Sequence, residues 1–294
     1  MGYDDSRSLL SVIIPAYNSA AVISEQLSAL AGQDFTGDWE VVVSNNRSTD
    51  QTTEVVLEFR EQLPDLRVVA ADHRQGRSYA RNVGAAHARG SHLLFVDADD
   101  VVAPGWLDVC ARAATTQPAF AGAMLSFRSN DDGTREWATS FHRGAAEPVY
   151  GFLRFAPTGN IGIRADLFHA LGGFSEEYRT GEDAEFSWRL QLTGHDFSFV
   201  PDALLFVRLP SSEWNRARTA FRDAIGVTHL YRDFRDAGMP RSSTSRALHE
   251  WLAIGRQAPS RLASSDDSRL DWWDWAGMRA GLVAGSLRYR VLYL

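Results

Sequence analysis

Short apolar runs alternate with helix-like patterns along about the first 130 residues. Runs rich in β-branched residues, typical of strands, occupy residues 9–18, 39–46, 66–72 and 92–100. Apolar residues at helical spacing follow in 20–32, in the segment holding Val55, Val56 and Phe59 (with Asp50 as its cap), and in 78–88. Strands this apolar, separated by helices, predict an α/β fold with a mostly parallel sheet covered on both faces.

Polar residues gather where each predicted strand ends. They comprise Asn18 after the first strand, then residues 44–50, 72–81 and 97–100 after the next three. Ligands of open α/β sheets bind outside the carboxyl ends of the strands. The pattern therefore predicts one nucleotide-sized crevice at this edge.

The second half of the chain has a different pattern. "FAGAMLSFRS" and "GNIGIRADLF" are typical of strands in a mixed sheet, with "RSNDDGTRE" as an exposed turn. Residues 181–194 predict a helix that opens with Glu182 and Asp183. From Ser211 onward the pattern is helical, with a break at "SSTSR" and a polar linker, "QAPSRLASSDDSR".

Composition excludes several classes of function. The net charge of −7 over 294 residues argues against a nucleic-acid binder. All 30 basic residues are Arg, which excludes a Walker-type phosphate loop and lysine Schiff-base chemistry. A single cysteine, Cys110, excludes an internal disulfide and a Cys-based zinc cluster.

The sequence also bears on cellular location. "MGYDDSRSLL" lacks the basic and apolar regions of a secretion signal, and no uncharged apolar run approaches the roughly 18 residues of a membrane span. We therefore expect a cytoplasmic protein, or one peripheral to a membrane.

Asp97 and Asp99 lie two residues apart at the end of a buried strand, so an extended chain places both side chains on one side. Mg²⁺ and Mn²⁺ take oxygen ligands and commonly bridge phosphates. The alternative is a solvated strand end with an Asp capping the helix after Pro104. The setting after a buried strand of a nucleotide-type sheet favours the metal–diphosphate site.

The carboxylates of "GEDAEF" have two interpretations. Glu182 or Asp183 at a helix start can act as a partner for the helix dipole. General-base catalysis instead needs an ionised carboxylate within hydrogen-bond reach of an incoming hydroxyl. The residues alone leave both open.

Six motifs together resemble the family 2 glycosyltransferases with a GT-A fold. Over roughly residues 9–205 they are, in order, "SVIIPAYN", "VVVSNNRSTDQT", "GRSYARNVGAAHARG", "LLFVDADD", "GNIGIRADLFHALGGFSEEY" and "GEDAEFSWRL". The resemblance implies a GT-A catalytic domain over 1–210 and a helical extension over 211–294. Within the domain it implies a Rossmann-like nucleotide-sugar-binding half (9–130) and a mixed-sheet half for the acceptor and base (131–210).

The resemblance also implies roles for individual residues. Asp99 matches the metal ligand and Asp183 the catalytic base, with Glu182 beside it. The positions expected on the donor side are Pro15, Ala16 and Tyr17 at the nucleotide, Asn45 at the base, Arg77 and Arg81 closing over the donor, and Asp97 and Ala98 near the ribose or sugar.

The family resemblance implies inverting transfer of a sugar, with Mn²⁺ or Mg²⁺, from a nucleotide-diphosphate sugar. We expect a UDP-sugar as donor, with thymidine and guanosine donors as the alternatives, and a hydroxyl of a glycan, a lipid-linked precursor or a natural product as acceptor. The Q-x-x-R-W signature of processive polysaccharide synthases is missing after Asp183. We therefore expect the transfer of one sugar per encounter.

Three positions depart from the family pattern. Asn45 and Asn46 replace two aspartates, and Val207 stands where a metal-binding His is often found. Arg208, next to Val207, is therefore a second candidate to carry the diphosphate charge.

Two other functions compete. A nucleotidyltransferase or pyrophosphorylase would want a Gly-rich basic loop after the first strand, which "PAYNSAAV" does not provide. A non-catalytic nucleotide-sugar-binding module would not need Asp97, Asp99 and Asp183 intact.

The C-terminal segment also has alternatives. Its aromatic cluster, Trp272, Trp273 and Trp275, either packs on the catalytic domain, forms a homodimer or acceptor surface, or lies on a membrane where it would meet a lipid-linked acceptor.

Overall fold

The computed structural model describes residues 9–129, 135–142, 148–208, 213–263 and 267–294. These residues divide into two compact units. The first contains the described parts of Met1–Glu147, Arg154–Glu177 and Glu182–Leu209. The second contains Pro148–Leu153, Tyr178–Gly181 and the described part of Pro210–Leu294.

The first unit is built of strands and helices. Its strands within the described residues are β1 (Leu10–Ala16), β2 (Trp39–Asn45), β3 (Leu66–Ala70), β4 (His92–Val96), β5 (Val101–Val102), β6 (Ala119–Ser129), β7 (Arg135–His142), β8 (Asn160–Arg164) and β9 (Ser198–Arg208). Its helices there are α1 (Ile23–Ala31), α2 (Thr52–Leu57), α3 (Arg77–His87), α4 (Trp106–Ala114), α5 (Ala165–Ala170) and α6 (Glu182–Leu192).

One sheet joins these strands in the order β3-β2-β1-β4-β8-β6-β9-β5, with β7 paired to β6. The pairs β3–β2, β2–β1 and β1–β4 are parallel. From β4 onward the sheet is mixed, since β4–β8, β8–β6 and β9–β5 are antiparallel while β6–β9 is parallel. The predicted α/β class, a mostly parallel half followed by a mixed half, is confirmed.

Both faces of the parallel strands are buried, as their apolar runs predict. On β1, Val12 and Ile14 belong to a core cluster with α1 and α4, whereas Ile13 belongs to a second cluster with α3, α5 and α6. Alternate side chains of one strand thus enter cores on opposite faces of the sheet.

The predicted strand over "GNIGIRADLF" is wrong in its second half. The strand ends at Arg164 and the chain turns into α5, in whose first turn Asp166 accepts the N–H of Leu167 at 2.6 Å. An aspartate in the first turn favours a helix through its charge at the helix N-terminus, although the apolar content suggested that the strand would continue. The predicted turn "RSNDDGTRE" lies largely at 130–134, outside the described residues.

The second unit contains α7 (Glu213–Phe234), a 3₁₀ turn (Arg235–Ala237), α8 (Thr244–Leu262) and α9 (Asp267–Tyr289). The break predicted at "SSTSR" is present, and Ser243 caps α8 by accepting the N–H of Arg246. The polar linker predicted from residue 257 is wrong for its first part, because α8 continues through Pro259 to Leu262. Pro259 and Gly255 are both exposed, so water can satisfy the carbonyl that Pro259 cannot bond.

Helices α7 and α9 pack closely through a repeat of glycines that sequence analysis missed. Gly277, Gly281 and Gly285 recur every four residues on one side of α9. A Cβ on Gly281 would lie 2.2 Å from the carbonyl oxygen of Phe221 on α7, and one on Gly285 would lie 1.8 Å from Thr228 Oγ1. Only glycine permits this approach of the two backbones.

We predict that Gly281→Ala lowers the free energy of unfolding by about 1–3 kcal/mol, because the added methyl group meets backbone atoms that cannot move aside. Gly255→Ala in α8 is the matched control, since nothing lies within 4 Å of its added Cβ. This control should stabilise by about 0.5–1 kcal/mol through helix propensity. Urea unfolding monitored by circular dichroism measures the free energy of unfolding of both variants. Equal changes in the two variants would contradict the packing of α7 on α9.

Candidate active site

The aspartates after β4 and the acidic start of α6 are joined by one buried cation. Arg81, on α3, is fully buried. Its Nη2 lies 2.6 Å from Asp97 Oδ1 and its Nη1 lies 3.2 Å from Glu182 Oε1. The structure thus brings together three of the predicted site residues, which are 16 and 101 positions apart in sequence.

The three aspartates of "DADD" occupy different environments. Burial opposes ionisation of Asp97, but Arg81 and Arg77 outweigh it, so the pKa of Asp97 lies below its ordinary value. Desolvation and the charge of Asp97 raise the pKa of Asp99, although its side chain is exposed. Burial and the charges of Asp97 and Asp99 raise the pKa of Asp100 well above its ordinary value. This end of β4 therefore holds more negative charge than the surrounding residues balance.

Asp183 lies in the first turn of α6 and is half-buried. Its Oδ1 accepts the backbone N–H of Ala184 at 2.8 Å. Burial, together with the charge of Glu182, raises the pKa of Asp183 to about 6. At neutral pH the carboxylate is therefore mostly ionised, yet it is a stronger base than an ordinary aspartate.

Glu182 serves a different purpose from its neighbour. It is buried, and its Oε1 lies 3.2 Å from Arg81 and 3.9 Å from Arg77 Nε. Such a carboxylate is paired and turned inward, so it orients α6 and leaves Asp183 as the accessible carboxylate of the two.

The residues predicted on the donor side differ in their exposure to solvent. Pro15 and Ala16 are buried at the end of β1, and Tyr17 beyond them is 50% exposed. Ala98 is buried between the aspartates, and Arg77 is exposed at the start of α3.

Asn45 and Asn46 hold the loops around the carboxyl end of β2. Asn45 donates to Thr53 Oγ1 at 2.7 Å and accepts the N–H of Ser48 at 3.0 Å. Asn46 is buried, donates to the carbonyls of Ala71 and Arg74, and accepts the N–H of Gly76 at 2.8 Å. In the sequence Asn46 is only a departure from the family pattern, whereas in the structure it holds the loop before α3 by three hydrogen bonds.

Arg208 is already engaged within the protein. Its Nη2 donates to Glu25 at 2.7 Å, and its guanidinium lies 5.1 Å from the centre of the Phe127 ring. Its backbone N–H donates to Asp100 Oδ1 at 3.3 Å. Arg208 therefore supports Asp100 and the end of β9, a role the sequence did not indicate.

Asn160 is a second residue that sequence analysis missed. The β6–β9 register shifts between Gly122 and Ala123. Beside the shift, Asn160 Nδ2 donates to the carbonyls of Ala123 and Ala203, at 2.9 and 2.8 Å. A polar residue at a strand start within an apolar run was the available signal. It stabilises the bulge that directs β9 toward Asp100.

The residues fit a divalent cation that is bound partly by protein carboxylate and partly by a phosphate of the substrate. Among the described side chains, no three of His, Cys, Asp or Glu form a group able to enclose a metal ion. The Asp99 side chain is exposed, and desolvation together with the charge of Asp97 raises its pKa. Mg²⁺ in particular is commonly held by one or two carboxylates and substrate phosphates, the arrangement that Asp99 would provide.

Fold and site together define an α/β protein with an acidic strand end and a separate carboxylate at a helix start. Residues 11–172 match the sequence model of the family described as "glycosyl transferase family 2". Residues 92–284 match that of "glycosyl transferase family group 2". The chain belongs to glycosyl transferase family 2, as the sequence motifs predicted.

Two curated relatives show how far the similarity extends. Glycosyltransferase AglE of Haloferax volcanii is 29% identical over 198 residues, which cover 66% of this chain and 65% of AglE. The poly(ribitol-phosphate) β-N-acetylglucosaminyltransferase TarS of Staphylococcus aureus is 44% identical over 94 residues, covering 31% of this chain and 16% of TarS. The chain thus spans less than two thirds of each of these relatives.

Solved structures share the fold. The mannosyltransferase PcManGT of Pyrobaculum calidifontis, in complex with GDP-Man and Mn²⁺, has a TM-score of 0.64 at 22% identity, covering 97% of this chain and 88% of that one. TarS residues 1–349 in complex with UDP-GlcNAc have a TM-score of 0.54 at 22% identity, covering 97% and 93%. In the part of the chain that the structure describes, no helix combines the length and hydropathy that a membrane crossing requires.

We predict that Arg81→Met lowers the free energy of unfolding at pH 7 by about 3–5 kcal/mol, because it leaves Asp97 and Glu182 without their shared cation. Arg74→Met is the control: its pair with Glu176 is exposed, so the cost should stay below about 1 kcal/mol.

Acid provides a second check of the Arg81 substitution. Arg81 helps hold the pKa of Asp97 below its unfolded value of 3.8, so the stability from this pair is lost as pH falls through the lowered pKa. The difference in free energy of unfolding between the variant and the unmodified protein should become smaller in strong acid. A difference that stays constant from pH 7 to pH 3 would contradict the ion pair.

Proposed function

We propose that the chain transfers a single sugar from a nucleotide-diphosphate sugar to an acceptor hydroxyl, with inversion at the anomeric carbon. The observation that carries the proposal is the half-buried Asp183, whose pKa is raised to about 6. It is tied through Glu182, Arg81 and Asp97 to the aspartates at the end of β4. Membership of glycosyl transferase family 2 supports the same chemistry.

The donor side is formed by the carboxyl ends of β1, β2 and β4. Pro15, Ala16, Tyr17 and Asn45 would line the nucleotide, with Asp97 and Ala98 toward the ribose and sugar. Arg77 is exposed, so its guanidinium can bind the diphosphate. PcManGT and TarS bind GDP-Man and UDP-GlcNAc respectively, which supports a nucleotide sugar as donor. We take a UDP-sugar as the first donor to test.

Asp99 would hold Mn²⁺ or Mg²⁺. Such a cation supplies positive charge that stabilises the departing diphosphate. The Mn²⁺ in the complex of PcManGT supports the assignment.

Asp183 would accept the proton of the acceptor hydroxyl. The acceptor oxygen then forms a bond to the anomeric carbon while the bond from that carbon to the diphosphate oxygen breaks. The nucleotide diphosphate leaves from the opposite face, so the configuration inverts without a covalent intermediate. Asp183 releases its proton to water after the product departs.

The acceptor belongs to a class set by this chemistry: a hydroxyl of a glycan, a lipid-linked precursor or a small molecule. A non-catalytic nucleotide-sugar-binding module is the competing function. It would have no use for a desolvated base, and the raised pKa of Asp183 favours the enzyme.

We predict that Asp183→Asn lowers sugar transfer, or donor hydrolysis in the absence of acceptor, by about 10²–10⁴-fold while nucleotide binding is retained. Asp166→Asn is the matched control, because Asp166 is also a first-turn aspartate, of α5, and its side chain is exposed. The control should keep full activity. Donor hydrolysis that persists in Asp183→Asn would favour a different base, and none in the unmodified protein would favour the binding module.

The pH profile provides an independent readout of the same substitution. In the unmodified protein, kcat/KM should fall as pH drops through about 6, because protonated Asp183 cannot accept a proton. The residual activity of Asp183→Asn should lack this inflection. An inflection that persists in the variant would assign the titration to another group.

A further inference from the structure

The outward side of α8 carries a continuous apolar stripe. Leu248, Trp251, Leu252 and Leu262 are 61%, 38%, 51% and 44% exposed. Their spacing places them on one side of the helix, over about 21 Å at 1.5 Å per residue. Gly255 and Pro259, also exposed, lie between them on the same side. Large apolar side chains exposed in a row, unlike scattered ones, indicate a surface that is covered when the protein functions.

The charges of α8 are opposite in sign to those of the chain as a whole. The helix contains Arg246, Arg256 and Arg261 but one acidic residue, Glu250, in a chain of net charge −7. Glu250 is shared by Arg246, at 2.8 Å, and by Arg279 of α9, at 3.0 Å. Within α8 itself, three arginines therefore stand against one carboxylate, an excess of two positive charges on this helix.

We propose that α8 docks on an anionic phospholipid bilayer, with the apolar stripe in the headgroup–acyl boundary and the arginines on lipid phosphates. An exposed helix with Trp and Leu on one side and Arg beside them has the composition of interfacial membrane helices. Anionic lipid is the complementary partner for its charge.

A second copy of the chain fits this surface less well. Arg256 lies next to the middle of the stripe, so antiparallel pairing of two α8 helices about that point would bring two guanidinium groups together. Within the described part of α8, the one carboxylate that could oppose them, Glu250, is already shared by two arginines. The docking goes beyond the proposed sugar transfer and does not depend on it.

The test uses site-specific labels, which the chain permits because its single cysteine, Cys110, is buried. Leu252→Cys in the stripe and Leu287→Cys on α9 would each carry an environment-sensitive fluorophore. Leu287 is a stringent control, since it is 77% exposed and Arg288 and Arg290 are its neighbours in sequence. The labelled 294-residue chains are mixed with vesicles of phosphatidylcholine, or of equal phosphatidylcholine and phosphatidylglycerol.

We expect a blue shift at position 252 on the anionic vesicles alone, with little change at position 287. In sedimentation with the same vesicles, Leu248→Ser/Leu252→Ser should weaken binding by at least about ten-fold for each Leu. Arg256→Gln/Arg261→Gln should weaken it by about five-fold for each Arg, and added salt should act similarly.

Three results would overturn the proposal: no binding to anionic vesicles, equal shifts at positions 252 and 287, or binding unchanged by the α8 substitutions. A concentration-dependent dimer of the free protein that Leu248→Ser/Leu252→Ser dissociates would also overturn it, and would assign the stripe to a second copy.

Discussion

The buried guanidinium of Arg81 is the constraint on which the site depends. It takes its two carboxylates from the end of β4 and the start of α6, segments that the sequence separates widely. Arg81 reaches them because α3 packs closely on the parallel strands: a Cβ on Gly84 would lie 2.6 Å from Ile13 Cγ2 and from Ser44 Oγ. A buried charge is costly unless it is paired, so the strand end and the helix start are held in one arrangement.

This arrangement gives two adjacent carboxylates different properties. Glu182 is turned inward to Arg81, while Asp183 is left half-buried beside the charge of Glu182, which contributes to raising the pKa of Asp183 to about 6. On the other side of Arg81, the pKa of Asp97 is lowered while the pKa of exposed Asp99 is raised. The proposed sugar transfer requires a base on one side and, on the other, an anionic edge that can hold a cation for the diphosphate leaving group.

Local patterns in the sequence predicted the elements that position this site. Apolar runs identified β1 to β4, and the order of six motifs identified the family. Long-range hydrogen bonds were not predictable, because Asn46 and Asn160 look like ordinary polar residues until the fold brings their partners near. The pairing of Arg208 with Glu25 and the glycine contacts between α7 and α9 were hidden for the same reason. Prediction failed outright at two places: after Arg164, where a first-turn aspartate favours the helix, and at Pro259, where the exposed carbonyl can bond to water.

Calorimetric titration of UDP and GDP, each in Mn²⁺ and in EDTA, is the decisive test of the donor site. We predict that one of the two nucleotides binds in Mn²⁺ and that EDTA or Asp99→Asn lowers its affinity at least about ten-fold, through loss of a charge-assisted contact to the diphosphate. Failure of both nucleotides to bind would contradict the donor site at the end of β4. Equal binding in Mn²⁺ and EDTA, unaffected by Asp99→Asn, would contradict the role proposed for Asp99.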